Sequence, residues 1–366
     1  MDFSVIVAFN NSYELMSNFV ENLIQTTDFN RGELILVSDA CRDVYTLRYL
    51  HNKEAELHWL HCINLDKPVG YSKANNVGVR HSRGETLVFL NSDVFPTAGS
   101  IKTLLNELNS HEEVGAVQGK LIYPQTGLVQ STGHLFMGYH NTHIYAGCAQ
   151  SDPLVQQSGI RQAITTAFCA IPRYLFELHS GFDEIYYNAY EGMELTLKIS
   201  KAGKRCTYCA NAVAFHAVGG SRNHMEFDNS IPGHIFWHRW KDKIHDDIQD
   251  YLSPQVTPLM RERTYFLMQG SSIPGWDKIL QSLKLNYSEE FMLPSRFSKQ
   301  IDLYRDLPFS ALDSPQPYLF TVDSLSDIQG NQNWTMVRNH SQDIVMDTHG
   351  RICSMKKLNG LYRGNT

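Results

Sequence analysis

The chain has 366 residues, 42% of them hydrophobic and 19% charged. That is the balance of a globular protein long enough for about two domains, not of a disordered tail. A formal charge of −6 argues against a nucleic-acid binder, and no apolar run approaches the ~18–20 residues that span a bilayer. The seven cysteines are an odd number. Only Cys206 and Cys209 form a C-x-x-C, without the second pair that a zinc site needs, so they read as packing residues on a strand in a reducing compartment.

The first half alternates strand and helix signals. Ser4–Phe9 reads as a first strand rather than a signal peptide, because it is short and lacks a basic lead. Asn11 or Ser12 is placed to cap a helix carrying Leu15, Phe19 and Leu23 at four-residue spacing. Glu33–Val37 follows as a buried strand ending at Ser38-Asp39, then a helix near Tyr45–Asn52 and a third strand over His58–Asn64. Ser72 is placed to cap a helix that runs to His81. After the turn at Ser82-Arg83-Gly84, the four apolar residues Leu87–Leu90 form a strand buried on both faces. Short links between alternating elements imply a parallel sheet with right-handed crossovers.

That strand delivers Asn91, Ser92 and Asp93 to its carboxyl end, where open α/β sheets bind ligands. Beyond it the pattern predicts a helix over Ile101–Leu108, a strand over Gly115–Tyr123 and a hairpin or loop over Val129–Gly147. A strand over Ile164–Ile171 precedes a helix, and the Gly181-Phe-Asp-Glu184 turn comes next. A helix from about Glu191 is closed by Ala202-Gly203, and a short strand spans Val213–Phe215. Ile235–Leu252 sets Trp237, Trp240, Ile244 and Ile248 on one helical face, which packs on the core or, in the alternative arrangement, rests on a membrane surface. From about Pro254 the pattern becomes irregular, with helices expected only near Trp276–Leu285 and Arg296–Arg305.

Five segments carry residues suited to chemistry. Asn10 ends the first strand, and Asp39 ends the second, where an acid accepts hydrogen bonds from a ribose or base, or else starts a turn. In Gly70-Tyr-Ser-Lys-Ala-Asn-Asn-Val-Gly78, Gly70 allows close backbone approach. Lys73 and the helix-start amides there make an electropositive corner, with Asn75 one turn in. Asp93 suits a hard divalent cation shared with a diphosphate and waters. Glu191 and Glu194 lie three apart on one helical face, and either is placed to act as a general base. His216 follows a strand and precedes Gly219-Gly220-Ser221-Arg222, where Arg222 would fork onto a phosphate oxygen. The chain holds no GxGxxG and no P-loop, which counts against nicotinamide enzymes and P-loop NTPases.

In this order and spacing, the motifs ending at Asn10, Asp39, Gly78, Asp93, Glu184, Leu195 and Arg222 resemble the family 2 glycosyltransferases over about residues 3–245, including Phe236-Trp-x-x-Trp240. The resemblance implies a GT-A fold: an α/β protein with a mostly parallel central sheet flanked by helices. The expected division is 1–95 for nucleotide binding and 96–250 for the acceptor, followed by an extension over 251–366. It implies inverting transfer from a nucleotide-sugar donor to a glycan or lipid-linked acceptor, with Mn²⁺ or Mg²⁺ held by Asp93 and His216. Bacterial-type surface polysaccharide assembly, on the cytoplasmic side and with peripheral membrane contact in one arrangement, is the setting implied. By position, Asp39 would contact the nucleoside, with Asn10, Gly70, Lys73, Asn75, Asn91, Ser92 and Arg222 around the donor. One position departs from the pattern. The family carries Glu-Asp at the start of the acidic helix, with the Asp as base, and here the pair is Glu191-Gly192. Either Glu191 or Glu194 takes over, or the chain is an impaired sugar-nucleotide-binding or scaffold subunit.

Overall fold

The computed structural model describes residues 1–10, 12–137, 140–217, 230–245, 247–251, 264–269, 286–292, 317–322, 342–347 and 352–355. They form two compact units, one of residues 1–134 with 149–244 and one of 135–148 with 245–366. The expected helices near Trp276 and Arg296, and Arg222 with its glycine loop, lie outside the described residues.

The first unit opens with β1 (Phe3–Phe9), α1 (Tyr13–Thr26), β2 (Gly32–Asp39), α2 (Val44–Glu56), β3 (Leu60–Leu65), α3 (Tyr71–His81) and β4 (Thr86–Leu90). All the pairings among these strands are parallel, and their order is β4-β1-β2-β3. Consecutive apolar residues suit a sheet covered on both faces. Val5, Ile6 and Val7 are fully buried, and so are Leu34 to Val37. One face packs Phe19, Val20 and Leu23 of α1, and the other packs Ala74 and Val79 of α3. Ser12 caps α1 without a side-chain bond. Asp43 does that work instead, accepting from the Tyr13 amide as well as from Tyr45 and Thr46 of α2.

Antiparallel strands complete the sheet. Next come β5 (Val94–Pro96), α4 (Ser100–Leu108), β6 (Val114–Ile122), β7 (Val129–Ser131), β8 (His134–Met137) and β9 (His140–His143). They are followed by β10 (Gly159–Arg161), β11 (Phe168–Pro172), α5 (Arg173–Leu178), α6 (Glu191–Lys201), β12 (Arg205–His216) and α7 (Ser230–Trp240). β11 inserts antiparallel between β4 and β6, and β12 runs parallel to β6. The sheet is therefore mixed, ordered β10-β12-β6-β11-β4-β1-β2-β3. The short strand expected over Val213–Phe215 is the end of the 12-residue β12, which takes in Cys206 and Cys209 and shifts register between Cys209 and Val213. All seven cysteines are free thiols.

The helix expected over Ile235–Leu252 is corrected. α7 stops at Trp240, and a separate 3₁₀ turn covers Ile248–Tyr251. Asp247 exchanges backbone and side-chain hydrogen bonds with Phe136, which fixes the chain there in a non-helical path. The single apolar face linking Trp237 to Ile248 does not form. No described helix is long and apolar enough to cross a membrane.

In the second unit, β13 (Thr264–Gln269), β14 (Asn286–Met292), β15 (Tyr318–Val322), β16 (Ile344–Asp347) and β17 (Ile352–Ser354) pair in the order β14-β13-β15-β16-β17. All of these pairings are parallel except the last. Tyr318, Leu319, Phe320, Ile344, Val345 and Met346 are buried in its core.

Candidate active site

The order of the first sheet reverses at β1. β2 and β3 lie on one side of it and β4 lies on the other, so the β1/β4 carboxyl edge is a topological switch point. Asn10 follows β1 as an exposed residue, and Asn91, Ser92 and Asp93 follow β4. The Asn91 amide donates to the Ala167 carbonyl and the Val94 amide to the Asn91 carbonyl, closing a tight turn that buries Ser92 and Asp93 to 2% exposure.

β5, directly after Asp93, pairs antiparallel with the end of β12 and sets Val94 opposite His216. The Ala217 amide donates to the Asp93 carbonyl, and Nε2 of His216 lies 3.2 Å from Oδ1 of Asp93. The other ring nitrogen, Nδ1, is 2.7 Å from Oε1 of Gln130 on β7. The spacing of the pair fits a hard divalent cation. Neighbouring ligands at about 2.1 Å on an octahedral ion stand about 3 Å apart, and waters and substrate phosphates fill the other positions. No group of three or more His, Cys, Asp and Glu residues suited to a metal occurs among the described residues, and Asp93 and His216 are the candidate pair there.

The remaining donor-side residues divide. Asp39 accepts from the Val69 amide (2.7 Å) and the Gly70 amide (3.0 Å), so it braces the turn that starts α3 as well as facing the edge. Gly70 adopts φ +84°, and a Cβ there would stand 2.4 Å from the Tyr187 carbonyl oxygen. Only glycine meets both demands. The Tyr71 amide, one of the helix-start donors, is taken by that same carbonyl, and the Ser72 hydroxyl donates to the Tyr186 carbonyl instead of capping α3. Lys73 is half exposed, with Nζ 3.9 Å from Glu184. Asn75 is buried and donates to the Tyr71 carbonyl on its own helix. Asn76 and Phe182 exchange two hydrogen bonds, so α3 is laced to the 182–187 loop, which leads into α6.

At that junction Ala189 and Tyr190 both take left-handed backbone, φ 74° and 69°. Two consecutive non-glycine residues there store strain of about 1–3 kcal/mol each. Packing holds them, with the Tyr190 ring 5.1 Å from Phe236 on α7 and the Tyr186 ring fully buried. α6 then starts at Glu191, which is 8% exposed.

The two acids of this turn have different surroundings. Glu194 is 2.9 Å from Lys198 Nζ and 3.1 Å from Arg239 Nη1, and accepts from the Tyr186 phenol. Burial alone would raise its carboxyl, but the phenol, Lys198 and Arg239 outweigh burial and hold it below the usual range. Glu191 neighbours Tyr71. Burial first, and then the Glu191 charge with a smaller share from Asp93, push the Tyr71 phenol well up. Gly192 packs on Thr166 so closely that a Cβ would fall 2.2 Å from Thr166 Oγ1 and 2.7 Å from Cγ2. Thr166 thus fills the space into which a side chain at 192 would project. Its neighbour Ala167 holds the Asn91 turn, so two adjacent residues link the acidic helix start to the Asp93 corner.

Sequence reasoning missed Gln130, Tyr71, Thr166 and Arg239. Tyr71 stands inside a motif whose glycine and lysine carry the visible signal. The other three had no local signal, since contacts distant in the chain define them.

A sequence profile described as Glycosyl transferase family 2 matches residues 4–170. An uncharacterised protein, y4gI, of Sinorhizobium fredii is 26% identical over 294 residues, covering 75% of this chain and 30% of that protein. The O-antigen biosynthesis protein RfbC of Myxococcus xanthus is 28% identical over 245 residues, covering 64% of this chain and 18% of its own length. The chain therefore spans less than a third of the curated relatives it matches. The structure of GalNAc-T7 with UDP, GalNAc and Mn²⁺ superposes with a TM-score of 0.53 at 13% identity, over 78% of this chain and 55% of that one, which supports the fold. Residues 4–170 are thus similar to glycosyl transferase family 2, on a fold of the GT-A type.

Proposed function

We propose that this chain transfers a sugar, with inversion at the anomeric carbon, from a nucleotide-diphosphate donor to a hydroxyl of a glycan or lipid-linked acceptor in surface polysaccharide assembly. The observation that carries the reading is the 3.2 Å approach of Asp93 and His216 at the switch point of the sheet. The glycan setting is supported by the O-antigen relative, and the use of a cation by the Mn²⁺ and UDP of the GalNAc-T7 structure. Asp93 and His216 would hold Mn²⁺ or Mg²⁺, which when bound neutralises charge on the departing diphosphate.

Glu191 is the general base in this reading. It takes the proton of the acceptor hydroxyl, whose oxygen bonds to the anomeric carbon as the bond to the diphosphate breaks and its electron pair leaves with the phosphate. Glu194 is committed to Lys198, Arg239 and Tyr186, and its lowered carboxyl makes it the weaker proton acceptor. Asp39, Gly70 and the Asn91–Asp93 turn line the donor side.

A second reading, an impaired donor-binding subunit, is favoured by Gly192 and the Thr166 side chain that fills its space. One assay separates the two. UDP-, GDP- and dTDP-sugars are incubated with wild type and Asp93→Ala, with and without Mn²⁺ and with EDTA. Nucleoside diphosphate release from one donor that is lost with Asp93→Ala or EDTA supports the transferase, and proton NMR of the glycoside made with that donor tests inversion. Donor binding without release supports the impaired subunit. Absence of both overturns the reading of this edge.

A further inference from the structure

We infer that Gln130 is the positioning residue of the metal corner: it holds His216 in the one orientation and tautomer that leaves Nε2 to ligate beside Asp93. The inference rests on the proposed cation site and adds to it a residue outside the glycosyltransferase motifs read from the sequence.

The argument begins with the hairpin. β6 and β7 are joined by a tight turn in which the Tyr123 amide donates to the Leu128 carbonyl and the Gly127 amide to the Tyr123 carbonyl. This turn sets Tyr123 and Gln130 side by side at the end of the sheet, while β12, paired parallel with β6, delivers His216 to the same end. Gln130 is 7% exposed and its polar atoms are used on both sides. Its amide group donates to the Tyr123 phenol, which turns its carbonyl oxygen toward His216. A carbonyl oxygen only accepts, so the Nδ1 hydrogen at 2.7 Å is the donor. With Nδ1 holding its hydrogen, Nε2 is the nitrogen whose lone pair is offered to a cation, and Nε2 is the one 3.2 Å from Asp93. An outer partner that fixes an imidazole in this way also raises its basicity as a ligand. The chain Tyr123–Gln130–His216–Asp93 therefore links a hairpin far from the acidic helix in sequence to the cation.

The test is Mn²⁺ binding, read by electron paramagnetic resonance with UDP or GDP present, in wild type, Gln130→Leu, Gln130→Glu, Tyr123→Phe, His216→Ala and Asp93→Ala. Gln130→Leu should weaken Mn²⁺ binding about 10–100-fold. Gln130→Glu keeps an oxygen acceptor for Nδ1 and should stay within about threefold of wild type, while Tyr123→Phe should fall between the two. Gln130→Leu binding like wild type, while His216→Ala and Asp93→Ala lose the ion, overturns the inference and leaves the metal site standing. Equal losses for Gln130→Leu and Gln130→Glu also overturn it, because they would report packing alone. Wild type that binds no Mn²⁺, or Asp93→Ala that binds it normally, overturns the metal site and this inference together. A measurement on the unmutated protein stands beside these. Nitrogen-15 NMR of the Mg²⁺–nucleotide form, with His216 assigned by difference from His216→Ala, should show the hydrogen on Nδ1, and a hydrogen on Nε2 instead overturns the proposal.

Discussion

The two ends of the parallel strands treat buried carboxylates in opposite ways. At the amino end Glu33 is fully buried, and its oxygens accept from the Ser4 hydroxyl (2.7 Å), the Arg83 amide and the Arg83 guanidinium (2.9 and 3.1 Å). The Gly84 amide closes the cluster on Ser4. At the carboxyl end Asp93 faces the His216 imidazole, which Gln130 holds from behind. The first arrangement ties a turn to two strands and leaves nothing to exchange. In the proposed reading the second would trade an imidazole contact for a cation without breaking the sheet. Within α6 the same contrast recurs over one turn, with Glu194 enclosed by cations and Glu191 beside Tyr71. The kind of partner, more than burial, separates the acids tied into the structure from those that the proposed reading assigns to chemistry.

The sharpest way to break that contrast is to exchange its members. Glu191→Gln should lower kcat about 10²–10⁴-fold, the usual worth of a placed base, with the urea midpoint unchanged. Glu194→Gln should do the reverse, losing stability by about 1–3 kcal/mol as Lys198 and Arg239 lose their partner, with kcat changed much less. Steady-state kinetics beside urea denaturation reads both. If Glu194→Gln is the inactive variant and Glu191→Gln the unstable one, the assignment is reversed.

Glu33→Gln extends the test to the far end of the sheet. It removes acceptors from Ser4 and Arg83 and should cost about 1–3 kcal/mol. The ionic part adds little because Arg83 is 65% exposed and its charge is screened. Turnover should match wild type. A loss of kcat equal to that of Asp93→Ala would remove the distinction between the two ends.

Much of this was legible in the sequence, and the reason is local. Apolar runs such as Val5–Val7 and Leu34–Val37 signal doubly covered strands, and the acids that end them follow from chain order. Alternating strands and helices then place Asn10, Asp39 and Asp93 at one edge. What stayed hidden depends on contacts across the fold. Ser72 looks like a cap, yet its hydroxyl is drawn to Tyr186, 114 residues away. Glu191 and Glu194 are equivalent in a helical pattern, and the Tyr186 phenol, Lys198 and Arg239, the last 45 residues further on, tell them apart. The helix expected through Ile248 carried a fair apolar stripe, but Asp247 had a stronger claim on Phe136. Gln130 has no motif around it at all.

Gly192 tests the acidic turn from its crowded side. Gly192→Ala places a Cβ against Thr166 and should destabilise by about 1–3 kcal/mol, the cost of overpacking. Thr166→Ala removes the two nearest atoms, so the double variant should recover part of that loss, a coupling that a double-mutant cycle in urea measures. By the same geometry Gly192→Asp alone should not gain activity. Additive effects in the cycle would show that Thr166 is not what confines position 192.

The smallest effect is in acid. At Glu33 burial acts to raise the carboxyl but is outweighed by Ser4 and Arg83, and at Glu194 it is outweighed by Tyr186, Lys198 and Arg239. Both therefore sit below their ordinary value of 4.5. A folded carboxyl lower than the unfolded one stabilises fully above the unfolded value and loses that contribution as the pH falls through the folded value. Stability should therefore be level with respect to these two groups above about pH 4.5 and fall below it. The slope contributed by each approaches about 1.4 kcal/mol per pH unit. Removing either acid should flatten the fall by up to that amount. Urea midpoints of wild type, Glu33→Gln and Glu194→Gln between pH 3 and 6 provide the comparison. Asp93→Asn, at the opposite edge of the sheet, is measured beside them. If Asp93→Asn flattens the acid limb as much as Glu33→Gln does, the carboxyl edge is as structural as the amino edge.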